Sequence, residues 1–147
     1  MRLILAISVV LLASCAPWRT TTQPEAQFRI MDSSSIPVEG ARVHLASYSV
    51  SKVPKDTVIL QIADDEGRVH FPEESYWQLV VVAPGGATFY GWSFCIDKPG
   101  FKPHAENSLR REDFVEMRQV VLESAEENLR CEWIKYPYRF EVEATEP

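Results

Sequence analysis

Two kinds of apolar pattern divide the chain. Residues 3–12 (LILAISVVLL) are continuously apolar, whereas from residue 27 onward apolar positions come in short runs separated by turn-forming clusters. Alternation with period two marks half-buried strands, and no long stretch carries a 3.6-residue period. The pattern predicts an all-β chain, with strands over residues 28–31, 41–48, 57–62, 68–71, 76–83, 87–97 and 114–122. Alternation also assigns faces. Val43 and Leu45 lie opposite Arg42 and His44, Val69 and Phe71 point inward while His70 points out, and Tyr90, Trp92, Phe94 and Ile96 form one heavily apolar face. Cys95 then points the other way, beside Phe89. Residues 76–83 (YWQLVVVA) are apolar on both faces, which predicts a central strand covered on both sides, and Pro84-Gly85-Gly86 supplies a hairpin turn after it. Residues 107–113 read as a polar loop or one helical turn, and the mixed alternation around Gln119 suggests a bulge.

The pattern changes after Leu122. Ser124 with Glu127 three residues on is a capping-box signature, so a short helix is expected over residues 125–133, with Leu129 and Trp133 on one side. Tyr136, Tyr138, Phe140 and Val142 then alternate with Pro137, Arg139, Glu141 and Glu143, a half-buried strand whose proline confines it to an edge. Residues 123–147 therefore read as a C-terminal extension packed on an antiparallel β-sandwich of seven or more strands spanning residues 27–122. The stretch before the sandwich, residues 15–26, holds two prolines and three threonines with little apolar content. It is expected to be a flexible tether of at most ~40 Å. An interfacial place for Trp18 beside lipid is the alternative to full solvation.

The leading apolar run follows the positive Arg2 and ends in small residues, the layout of an export signal. Its ten residues are too few to cross a hydrocarbon core, which takes roughly 20. Leu12-Ala13-Ser14-Cys15 resembles the lipobox of bacterial lipoproteins. That resemblance implies cleavage of residues 1–14, a diacylglyceryl thioether and an N-acyl chain on Cys15, and a location in the cell envelope. At about 0.8 kcal/mol per buried CH₂, several chains hold where one would not. Ala16, rather than Asp, after the cysteine points to the outer membrane, facing the periplasm.

Removing residues 1–14 leaves 133 of 147, enough for one domain. With 46% hydrophobic and 11% aromatic residues the chain lies outside the disordered regime. Arg2 is the only charge lost with the signal, so the formal charge moves from −6 to −7. An acidic surface argues against nucleic acid and against electrostatic attraction to anionic lipid. The expected partners are the bilayer, through acylated Cys15, and an envelope protein. With Cys15 consumed by acylation, three cysteines become one pair, Cys95 and Cys131. An oxidising compartment favours a bridge between them, two separate buried thiols being the alternative.

Ile30 to Val43, read as I-x-D-x-x-S-x-P-V-x-G-A-x-V, then Asp64-x-x-Gly67-x-Val69-x-Phe71 and Lys98-x-Gly100-Phe101, resemble the carboxypeptidase regulatory-like domain, a small sandwich of the transthyretin-like kind. The likeness covers about residues 27–122. Asp32 is suited to close an Asx turn, Pro37 to pre-set φ, and Gly67 to supply a positive φ. Ser35, Ala63 and Phe101 depart from the Gly, Thr and Tyr usual at those places. Such domains are mostly non-catalytic modules, so the resemblance implies binding or scaffolding.

Candidate chemistry is sparse. His44, His70 and His104 lack ligand spacing and read as solvated imidazoles, so no metal is expected. Asp64-Asp65-Glu66 lacks the alternating oxygen pattern of a calcium loop and reads as a plain turn. No G-x-S-x-G elbow is present, Ser93 has no assignable base, and Gly85-Gly86 is no phosphate loop. Hydroxyisourate hydrolase shares the transthyretin-like fold, but its C-terminal Tyr-Arg-Gly-Ser is absent, and Tyr138-Arg139-Phe140 is a superficial echo. No cofactor and no catalysis are expected. The remaining candidate is an aromatic surface of Trp77, Phe89, Trp133, Tyr136 and Tyr138, suited to a protein or a glycan. Burial of these rings by the C-terminal extension is the competing reading.

Overall fold

The computed structural model describes residues 15–49, 57–81, 90–134 and 138–144. The expected signal at residues 1–14 lies outside them, as do Phe89 and Tyr136. Eleven strands form among the described residues: β1 (Cys15–Gln23), β2 (Ala26–Asp32), β3 (Arg42–Ser49), β4 (Thr57–Ile62), β5 (Arg68–Phe71), β6 (Glu74–Val81), β7 (Tyr90–Asp97), β8 (His104–Leu109), β9 (Arg118–Leu122), β10 (Leu129–Ile134) and β11 (Arg139–Ala144). They make a three-stranded sheet β5-β2-β9, a four-stranded sheet β4-β3-β7-β8, and two ribbons, β1-β6 and β10-β11.

The two larger sheets enclose one apolar core. Phe28 and Ile30 of β2, Val69 and Phe71 of β5 and Val120 and Leu122 of β9 meet Val43 and Leu45 of β3 and Trp92, Phe94 and Ile96 of β7. Phe28 sits at its centre, 4.8 Å from the Phe94 ring and edge-on to Phe71 at 6.1 Å. Each such side chain contributes about 1.5–3 kcal/mol by leaving water. The turns follow from short polar side chains. Asp32 Oδ1 accepts from the amides of Ser34 (2.8 Å) and Ile36 (2.9 Å), an Asx turn, and Ser35 takes a positive φ of 63° where glycine would be expected. Asp64 Oδ1 does the same for Glu66 and Arg68. Gly67 completes that turn at φ 70°, and a Cβ there would lie 2.3 Å from the Ile30 carbonyl oxygen, so no other residue fits.

Four expectations are corrected. The stretch expected to be a tether is strand β1, paired antiparallel with β6 from Cys15↔Val81 to Gln23↔Glu74. Its threonines favour strand, and Pro17 is tolerated because β1 pairs on one side only among the described residues. The predicted central strand 76–83 is, over its described residues, part of β6, which pairs with β1 alone among the described residues and leaves Trp77 70% exposed. The predicted strand 114–122 is split into a 3-10 turn, Arg111–Phe114, and β9, which runs parallel to β2 without a register shift, so the sandwich is not wholly antiparallel and the bulge at Gln119 is absent. Finally, no helix forms over residues 125–133. Ser124 instead bridges Phe101, and β10 follows as a strand paired with β11. A nine-residue helix is marginal alone, and a cap worth ~1 kcal/mol does not outweigh tertiary pairing.

The pairing of β1 with β6 is open to direct test. Thr21 and Ser75 are cross-strand partners. Thr21→Cys with Ser75→Cys is expected to form a disulfide on mild oxidation, seen in mass spectrometry as a linked peptide pair that reductant separates; a free tether would leave both thiols alkylatable.

Candidate functional site

Strand β7 carries the chemistry of the outer face. Trp92, Phe94 and Ile96 enter the core, so Ser93, Cys95 and Asp97 must point away from it, and all three are still buried. What buries them is the β10-β11 hairpin. Cys95 and Cys131 are joined at an Sγ–Sγ distance of 2.04 Å with their Cα atoms 6.0 Å apart. Phe140 is buried with Ala46 and Cys95, its ring is 5.0 Å from that of Trp133, and its amide donates to Asn107 Oδ1 at 2.8 Å. Tyr138 stacks on Tyr48 at 5.3 Å with the rings nearly parallel. The hairpin is thus a third layer, clamped on the outside of the four-stranded sheet.

Asp97 is the residue that sequence reasoning missed. It is 1% exposed, and three groups converge on it: Arg42 Nε at 2.5 Å, the Cys131 amide at 2.9 Å and His44 Nε2 at 3.4 Å. Arg42 and Asp97 face each other across β3 and β7, as His44 and Cys95 do. Burial by itself would push the Asp97 carboxyl up, but the His44 ring, the Cys131 amide and the Arg42 guanidinium outweigh it and hold the carboxyl below its ordinary 3.8. An acid at the end of an apolar strand, before Lys98-Pro99-Gly100, reads as the start of a turn. The available signal was its register: Asp97 shares the outward face with Cys95.

His44, Asp97 and Cys131 each offer a donor atom within 4.8 Å of the others, the geometry of a candidate metal group. The donor set does not fit one. The Cys131 sulfur is committed to the disulfide, and the Asp97 oxygens already serve Arg42 and the Cys131 amide. The cluster is a clamp that joins sheet and hairpin. His44 is correspondingly half-buried beneath Phe140 rather than fully solvated, whereas His70 stays exposed, 3.3 Å from Glu25.

Of the expected aromatic surface, Phe89 and Tyr136 lie outside the described residues, and the other three do not come together. Trp133 and Tyr138 pack on Tyr48 within the hairpin layer, while Trp77 projects from the β1-β6 ribbon, and no ring contact joins it to them among the described residues. Cys15 is the first residue of β1. An exposed apolar stripe lies elsewhere, on β4. Val58, Leu60 and Ile62 oppose Ala46, His44 and Arg42, so they share the outer face with the hairpin but are left uncovered at 42%, 48% and 64% exposure. β4 ends its sheet and contains neither charge nor proline. A separate cleft of about 290 Å³ lies between Glu25, Gln27, Glu73, Arg111 and Met117; Glu73 is already bonded to Arg19 and Arg111, and its one aromatic wall, Phe114, is buried.

Comparison with family models, curated proteins and solved structures found no significant match.

A carboxyl held below its unfolded value stabilises the fold while ionised. The contribution of Asp97 is therefore complete above about pH 3.8 and is lost as pH falls through its lower folded value. Asp97→Asn is expected to cost about 1–3 kcal/mol at pH 7, because Arg42 loses its counter-charge, and to flatten the loss of stability below pH 4. Denaturant unfolding at pH 7 and pH 3, with the disulfide intact, measures both; an unaltered acid limb in the variant would contradict the clamp. The bridge closes a separation of 36 residues, and its reduction should cost ~4 kcal/mol in the chain-entropy model.

Proposed function

We propose that this chain is a lipoprotein held in a bacterial envelope membrane, the outer one on the strength of Ala16, by acylated Cys15, and that it faces the periplasm as a non-catalytic protein-binding or assembly module. Its architecture is taken as a sandwich of the carboxypeptidase regulatory-like, transthyretin-like kind. The observation that carries the binding reading is β4. An edge strand leaves a row of amide and carbonyl groups unpaired, and folded proteins protect such edges with charges, prolines, bulges or cover. Here Thr57–Ile62 has neither charge nor proline, and it carries a three-residue apolar stripe on its open face. The partner that fits is an extended segment of another envelope protein, adding main-chain hydrogen bonds at the edge and setting alternate apolar side chains beside Leu60.

A small-ligand or glycan-binding sandwich is the second reading, with the cleft beside Arg111 as its place. Its walls favour it less: sugar sites rely on exposed aromatic faces, and the buried Phe114 is the aromatic side chain lining this cleft among the described residues.

Two measurements test the proposal. Cys15→Ser should abolish lipid labelling and release the protein from membranes; unchanged labelling would refute the anchor. A photo-crosslinking side chain in place of Ile62 should capture one discrete protein in cells, and adding Leu60→Lys should abolish the adduct while changing the unfolding free energy by no more than about 0.5 kcal/mol. No adduct, or one indifferent to Leu60→Lys, would remove β4 as the docking edge, and saturable sugar binding in its place would support the second reading.

A further inference from the structure

We infer that the β1-β6 ribbon stands end-on in the headgroup region of the bilayer that holds Cys15, so that the domain is mounted on a rigid post. The inference rests on the reading of Cys15 as the acylated residue. Were the following residues a tether, acylation would fix nothing about the domain. Cys15 is instead in register with Val81 at the far end of an antiparallel pair that continues to Gln23↔Glu74. Any lipid on Cys15 is attached directly to a strand terminus.

The ribbon changes character along its length. From the Cys15 end the first four pairs are Cys15↔Val81, Ala16↔Val80, Pro17↔Leu79 and Trp18↔Gln78, without a charge. Charge begins at the fifth pair, where Arg19 reaches Ser75 Oγ at 2.8 Å and Glu73 at 2.9 Å. Four residues of strand rise about 13 Å, against a headgroup layer of roughly 5–8 Å on each side of the core. The uncharged end is more than long enough to cross the layer, so the fifth pair, Arg19↔Trp77, falls at its outer, water-facing side.

Two exposed tryptophans lie on adjacent rungs at this boundary, Trp18 in the fourth pair and Trp77 in the fifth. Trp18 is 64% exposed and Trp77 70%, and the register places them on opposite faces, since Trp77 is opposite Arg19 and Trp18 opposite Gln78. A ribbon lying flat would present one ring to lipid and the other to water. One standing end-on brings both to the lipid–water boundary, Trp18 one rung deeper and Trp77 beside Arg19 at its watery edge, the level at which indole rings are at home. The base is braced for this: Trp92 Nε1 donates to the Thr22 carbonyl at 3.0 Å, and the Tyr76 and Tyr90 hydroxyls lie 3.4 Å apart.

The test uses the full-length protein purified from membranes and reconstituted in phosphatidylethanolamine and phosphatidylglycerol vesicles, with and without lipids brominated near the glycerol end of their acyl chains. Brominated lipid is expected to quench the tryptophan emission, and Trp18→Phe with Trp77→Phe to remove most of that quenching. Intact-mass analysis of the same sample reports the lipid on Cys15. Acylated protein without quenching would overturn the end-on post while leaving the anchor standing, as would quenching that persists in the double variant. A Cys15 without lipid would overturn both.

Discussion

A strand buried on both faces has to be covered twice, and β7 is that strand. From Trp92 to Asp97 every residue is buried, so one face demands the sandwich core and the other demands a layer outside it. The inner requirement is met by apolar packing on β2, β5 and β9. The outer face is harder to satisfy, because it includes a carboxylate. A charge removed from water needs partners that repay its desolvation, and Asp97 finds them on both sides of the interface it creates: Arg42 and His44 from the sheet, the Cys131 amide from the hairpin. The disulfide one turn of the pleat away makes the same junction covalent. Placement of the C-terminal residues follows from β7.

Legibility in the sequence tracks how local each cause is. β4 and β5 have the bounds that alternation predicts, because their signals lie within the strand itself. The outward direction of Cys95 was readable for the same reason. Asp97 obeys that alternation too, yet its role depends on residues 53 and 55 positions before it and 34 after it. The helix expected after Ser124 shows the opposite failure. The local cap is genuine as a pattern, but Ser124 pairs with Phe101 and the following residues are held by a bridge several times stronger than a cap. β1 was misread because prolines and threonines compose both linkers and edge strands, and its partner begins more than 50 residues away. The aromatic candidates fared similarly: type marks them as able to bind, while only the fold separates Trp133 and Tyr138, spent on the hairpin, from Trp77, left exposed.

Once the core and the clamp are satisfied, apolar surface remains among the described residues that neither uses, and two parts of it stand out. One is the outer face of β4 and the other is the Cys15 end of the β1-β6 ribbon. They differ in what they offer. β4 couples an apolar stripe to an open hydrogen-bonding edge, which suits a polypeptide able to complete the sheet. The ribbon end offers four uncharged pairs that include the exposed Trp18, with Trp77 on the next rung, and its chain direction leads to the residue read as the lipid attachment point, which suits a bilayer interface.

The two proposals constrain each other through stiffness. A flexible linker of a dozen residues would let the domain tumble over the membrane, and a partner would be met at any orientation. A paired ribbon braced by the bond from Trp92 to Thr22 removes most of that freedom. Orientation is then set by backbone register, and β4 is carried at a fixed attitude above the lipid. Pre-ordering of this kind lowers the entropic cost of docking on a partner in the same membrane, so affinity is gained without added contact area. The same rigidity has a cost: a partner whose accessible strand lies at a different height or angle is excluded. A domain whose clamp and anchor both restrict motion is suited to one neighbour rather than many.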